Sequence, residues 1–155
     1  IYIRTDIGSI KLIDLTDSYA GGQSRPGIYD NFDDTRSALL TIPPGKKARI
    51  ETGYEAQVEN VIAIFDYETK EERWINGNYN RGKGRSYELE GNEETAQIYL
   101  ITGWHKGFLS GNKGQHLWFQ NKIRIERKED KILIAGFEDG ADDDFNDASV
   151  HCIIE

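Results

Sequence analysis

The stretch Gly136–Asp147, GFEDGADDDFND, carries six carboxylates within ten residues: Glu138, Asp139, Asp142, Asp143, Asp144 and Asp147. The apolar run ILIA precedes it directly and ASVHCII follows it. On a free tail, water and salt would screen such charges. Between two apolar segments they cannot disperse, so the repulsion must be relieved by basic neighbours or by a bound cation. Carboxylate and amide oxygens are hard ligands, suited to Ca²⁺ rather than zinc or copper. Ca²⁺ takes about 6–8 oxygens. Glu138, Asp139, Asp142, Asp144, Asn146 and Asp147 can supply most of them. The spacing D-x-D-x-N from Asp142 to Asn146 matches the start of an EF-hand loop, but the next position is Asp147 where glycine is needed. Ile153 stands where the closing glutamate belongs, and the flanks have strand character, so the reading is a calcium loop framed by strands.

A second stretch, DNFDD at Asp30–Asp34, also sets a phenylalanine among Asp and Asn. Two readings stand. Asp30 and Asp33 join the C-terminal loop around a shared ion, or the stretch is an Asx-rich turn before the strand SALLTI. Asp14 and Asp17 are further carboxylates that nothing in the sequence places.

Catalytic constellations are absent. The histidines His105, His116 and His151 have no zinc-binding spacing, GFLSG is not a nucleophile elbow, and GKGRSY lacks the strand-to-helix context of a phosphate loop. Glycoside hydrolysis needs two carboxyl groups held about 5–10 Å apart across a sugar-sized cleft. Carboxylates crowded into one loop suit a metal better. Two stretches offer a ligand face instead. RWINGNYNRGKG contributes Asn76, Asn78 and Tyr79; TGWHKGFLSGNKGQHLW contributes Trp104, His105 and Lys106, with Asn112, His116 and Trp118 nearby. Aromatic faces with Asn and His hydrogen bonds are the inventory that binds sugars. The plainer reading puts Trp74 and Trp118 over the core; Trp104, between Gly103 and His105, is open to either role.

These residues need a scaffold, and the chain spells a β one. Segments rich in β-branched and aromatic residues recur between turn signals: IKLIDL, SALLTI, KARIET, ENVIAIFDY, RSYELE, AQIYLIT, KIRIERK, KILIAG and ASVHCII. Several alternate with period two. Tyr99 and Ile101 oppose Ile98 and Leu100; Ile123 and Ile125 turn inward from Lys122, Arg124 and Glu126; Val150, Cys152 and Ile154 share a face with His151 outside. PPG, NGN and RKED read as connections. The expectation is an all-β, antiparallel two-sheet β-sandwich (jelly-roll-like) forming a single domain over residues 1–155, with a closed barrel as the alternative.

The bulk numbers agree. A chain of 155 residues buries a core without disulfides, and the one cysteine, Cys152, cannot form an internal one. The net charge of −8 argues against nucleic acid and anionic membranes as main partners. No apolar run in the sequence approaches the roughly 20 residues of a membrane-spanning helix.

GFEDGADDDFNDASV resembles the C-terminal signature of secreted bacterial β-sandwich domains: F-E-D, a short loop, D-x-D-[FY]-N-D and a closing strand. Such domains occur in adhesin-like and matrix-associated proteins. Phe137, Glu138 and Asp139 match the first part; Asp142, Asp144, Phe145, Asn146 and Asp147 match the second. Gly140-Ala141 stands where the family commonly has Leu-Pro. The resemblance covers about the last twenty residues. It implies a calcium site and a secreted or cell-surface location; that the chain is not an enzyme is expected from its lack of catalytic motifs. Phe145 is expected to point into the core and anchor the loop. The function expected is a Ca²⁺-dependent carbohydrate-binding, lectin-like adhesion module whose partner is a glycan or cell-surface polysaccharide. A purely structural Ca²⁺-stabilised module of a larger extracellular protein is the alternative, ahead of a metal-dependent hydrolase.

Overall fold

A computed structural model describes residues 22–56, 58–79, 86–108, 116–140 and 144–155. The expected strand IKLIDL, with Asp14 and Asp17, lies outside the described residues, as do Asn112, Asp142 and Asp143. The described residues form β1 (Ser37–Ile42), β2 (Ala48–Tyr54), β3 (Asn60–Asp66), β4 (Glu72–Gly77), β5 (Ser86–Leu89), β6 (Gln97–Phe108), β7 (His116–Gln120), β8 (Lys122–Lys128), β9 (Ile132–Glu138) and β10 (Ala148–Ile154). They contain no α-helix, only a 3₁₀ turn at Asp34–Arg36. No helix among them is long and apolar enough to cross a membrane.

Two antiparallel sheets result, as the alternation predicts. One has the order β1-β6-β3-β4, with β7 also on β6; the other is β5-β2-β10-β9-β8. The long β6 makes the first arrangement possible. Its start pairs with β1 (Ser37↔Thr102) and its end with β7 (Trp104↔Gln120), while β3 runs along its other side.

Between the sheets lies the main core. Leu40, Ile42, Ile62, Ile64, Tyr99 and Ile101 meet Ile50, Leu89, Leu133, Phe137, Val150 and Cys152. A second cluster covers the outer face of the first sheet: Val61, Ala63, Phe65, Leu100, Trp104 and Trp118, roofed by Ile28 and Phe32. The roof is tied down where Gln23 and Trp118 exchange backbone hydrogen bonds of 2.9 and 2.7 Å. Hence NVIAIFD is buried along its whole length, which is why it reads as a continuous apolar run rather than an alternating one.

Three expectations change. WING and HLWFQ, not among the expected strands, lie in β4 and β7; Asn76 and Gly77 lie opposite Ile62 and Val61 in the ladder, so NGN is not the connection. Ile125 is 39% exposed, because β8 ends its sheet and has no outer neighbour among the described residues. The turns at PPG and RKED stand: Lys46 N–H donates to Pro43 O at 3.1 Å, and Glu129 and Asp130 take positive φ between β8 and β9.

Candidate functional site

The acidic loop joins two neighbouring strands, leaving β9 at Glu138 and entering β10 at Ala148. Glu138 has the parity of Ile134 and Gly136, the outward side of β9. The loop turns back over it and leaves it 1% exposed. Its carboxylate organises that return: Gly140 N–H donates to Oε2 at 3.0 Å and Phe145 N–H to Oε1 at 3.2 Å. Asp147 closes the loop base. Its Oδ2 accepts from Asp139 N–H at 2.9 Å, and its own N–H extends the ladder to Phe137 O. Phe145 takes φ of 54°, the left-handed region, to let the chain turn.

Phe145 does not enter the core. It lies on the outer side of the second sheet, where Gly136 leaves room for it: a Cβ there would stand 2.4 Å from Phe145 O. The Arg124 guanidinium lies over its ring at 4.8 Å, and Arg124 also donates to Asp144 O at 3.3 Å. The core anchor beneath the loop is Phe137.

This folding brings one ligand oxygen each from Glu138, Asp144 and Asp147 within 4.8 Å of one another. Two oxygens on one Ca²⁺, each at about 2.3–2.6 Å, lie at most about 4.6–5.2 Å apart, so these three can share an ion. Glu138 and Asp147 are buried while Asp144 is exposed, so the group has a walled side and an open side. Burial pushes the Asp147 carboxyl above its ordinary value; the Asp139 carboxylate adds to the rise, and the Asp139 N–H and Glu138 side chain oppose it. A buried carboxyl with carboxyl neighbours is held back from ionising, and a cation removes that penalty.

The other expected ligands are placed differently. Asp139 Oδ2 accepts from Asn60 Nδ2 at 2.9 Å, beside the cluster. Asn146 directs its amide to Glu55 Oε1 at 3.4 Å. Asp142 lies outside the described residues. Asp30 and Asp33 are not with the cluster: Asp30 is exposed in a turn, and Asp33 caps the 3₁₀ turn. Asp33 accepts from Thr35 N–H at 2.9 Å and Thr35 Oγ1 at 2.6 Å. The Asx-turn reading of DNFDD therefore holds for the described residues.

The expected ligand face is mostly interior. Trp104 is 1% exposed, packs in the second cluster and donates Nε1–H to Thr102 Oγ1 at 2.8 Å; it offers no face for a sugar. His105 is buried against Phe119 and its Nδ1 lies 2.6 Å from Asn121 Oδ1. Burial lowers its pKa, against the Asn121 hydrogen bond. Asn76 is also buried, its Oδ1 accepting from the Thr52 and Tyr54 hydroxyls. Asn78 accepts Asn60 N–H at 2.9 Å and donates to Val58 O at 2.9 Å. Lys106 leans toward Glu59 and over the Trp118 ring. Tyr79, 56% exposed, is the one aromatic of the six that faces solvent.

Sequence reading missed Asn60 and Asn121, both fully buried next to this site. A single asparagine at a strand end carries no pattern. Only the approach of β3, the β7–β8 junction and the loop shows what they do.

No family model matches the chain, and no curated protein matches it in sequence. Solved structures do match in shape. The C-terminal domain of BC2L-C lectin from Burkholderia cenocepacia aligns with a TM-score of 0.53 at 17% identity, over 76% of this chain and 94% of that one. The Chromobacterium violaceum lectin CV2L, in complex with alpha-methyl-fucoside, scores 0.46 at 17% identity over 74% and 92%. A Ralstonia solanacearum high-affinity mannose-binding lectin scores 0.46 at 15% identity over 74% and 92%. The first of these shares the chain's two-sheet β-sandwich fold.

Proposed function

We propose that this chain is a Ca²⁺-binding β-sandwich module that binds carbohydrate at the 138–147 loop, acting as an adhesion domain at the cell surface or outside the cell. The observation that carries the reading is the grouping of Glu138, Asp144 and Asp147 oxygens within 4.8 Å, two of the three residues buried. Ca²⁺ takes about 6–8 oxygens, so three carboxylates leave positions for waters or for sugar hydroxyls. The open side at Asp144 is where a glycan can reach the ion. The lectin-like fold supports this reading without carrying it. With Trp104 and Asn76 interior, recognition rests on the ion and loop rim rather than on an aromatic platform.

The same burial favours a second reading, in which Ca²⁺ only locks the loop and the module is structural. A glycan array probed in millimolar Ca²⁺ and again in chelator separates the two. Binding that vanishes with chelator is expected. Stabilisation by Ca²⁺ with no array signal establishes the structural module, and melting unchanged by either treatment removes the cation site.

A further inference from the structure

Behind the acidic loop, Asn60, Asn121 and His105 are all buried and form an unbroken row: Asp139 Oδ2 to Asn60 Nδ2 at 2.9 Å, Asn60 Oδ1 to Asn121 Nδ2 at 2.9 Å, and Asn121 Oδ1 to His105 Nδ1 at 2.6 Å. An amide side chain can be turned either way, but here chemistry fixes it. The Asn60 Nδ2 end also faces Val58 O at 3.3 Å, and a backbone carbonyl can only accept. Asn60 Oδ1 therefore faces Asn121, whose NH₂ must point at it. Asn121 Oδ1 is then left facing His105, so Nδ1 must carry a proton. Every hydrogen bond in the row donates in one direction, toward the loop.

We propose that this row is a positioning device for the cation site: His105, held as its Nδ1–H tautomer, orients Asn121, which orients Asn60, which fixes the Asp139 carboxylate. Asp139 in turn holds Asp147, because its N–H donates to Asp147 Oδ2 at 2.9 Å. Its three members come from three places in the chain: β3, β6 and the junction after β7. The ordering they impose on Asp139 thus derives from the sandwich and not from the loop itself. Groups that hydrogen-bond to ligands from behind fix their direction, and their loss weakens metal binding without removing a ligand. The role rests on the cation reading above; the tautomer does not.

The test uses the full chain labelled with ¹⁵N. In chelator, long-range ¹H–¹⁵N correlation is expected to show His105 protonated at Nδ1; protonation at Nε2 alone overturns the row's direction. Asn60→Ala and Asn121→Ala should each weaken Ca²⁺ binding by calorimetry, by roughly tenfold or more. Asp130→Ala, far from the row, should not. Asn60→Ala should also free Asn121 to reverse, so that His105 shows both tautomers. Should Asn60→Ala fail to fold, Asn121→Ala still decides, because it leaves the direct contact with Asp139 intact. Wild-type affinity in the folded variants overturns the positioning role. A wild type that binds no Ca²⁺ while His105 stays Nδ1–H overturns the cation reading and leaves the hydrogen-bond row standing.

Discussion

Asp144 and Asp147 should respond differently to substitution in the absence of the ion. Asp144 is exposed, so Asp144→Ala should leave melting in chelator unchanged and abolish most of the gain from Ca²⁺. That gain is about 2.7 kcal/mol at a hundred times Kd, read as a shift in melting temperature. Asp130→Ala should keep it. Asp147 has a carboxyl raised above 3.8 by burial. A raised acid favours folding below its unfolded value, and that contribution is lost as pH climbs through the folded value. At neutral pH in chelator its charge therefore opposes folding. Asp147→Asn should melt higher than wild type there, the gap closing as pH falls through the raised folded value and gone below the ordinary 3.8. In Ca²⁺ the order should reverse, and two melting curves per protein decide it. Trp104→Ala belongs to a different class: removing a fully buried indole should cost about 3–5 kcal/mol in chemical denaturation, whether or not Ca²⁺ is present.

The loop and β9 are fitted to each other as elements. Gly136 admits Phe145, so Gly136→Ala should push the loop off the sheet, costing about 1–3 kcal/mol in denaturant and weakening Ca²⁺ binding. Gly53→Ala, where the added methyl meets Ser149 Oγ at 3.3 Å, should spare Ca²⁺ affinity and serves as the control. Element-scale packing also explains what the sequence could and could not reveal. ENVIAIF and ASVHCII were legible because apolar residues dominate or alternate in them. WING and HLWFQ were not: Trp74 is committed to a stack with Tyr87 at 4.9 Å, and Asn76 is a buried polar residue inside a strand. KIRIERK alternates correctly, yet periodicity cannot say that β8 ends its sheet among the described residues and leaves Ile125 39% exposed. The acidic loop was legible because charge density is a local property of the chain. The partners that position it, Asn60 in β3 and Asn121 at the β7–β8 junction, are distant in sequence and carry no local signal.

At the scale of the molecule, the described residues cover the first sheet on both faces and the second on its inner face. The second sheet carries the acidic loop and, through the first, the hydrogen-bonded row behind it. Loading the loop should therefore be felt beyond it, since β10 begins where the loop ends and lies at the middle of its sheet. Cys152 sits in that strand with its thiol pushed up to about 12 by burial. In the native state such a sulfur is sealed from alkylating reagents and too feebly ionised to attack them. Its modification rate thus becomes an internal clock for the opening of β10. A divalent ion that clasps the preceding bend should slow that clock, readable from a single sulfur with no label attached.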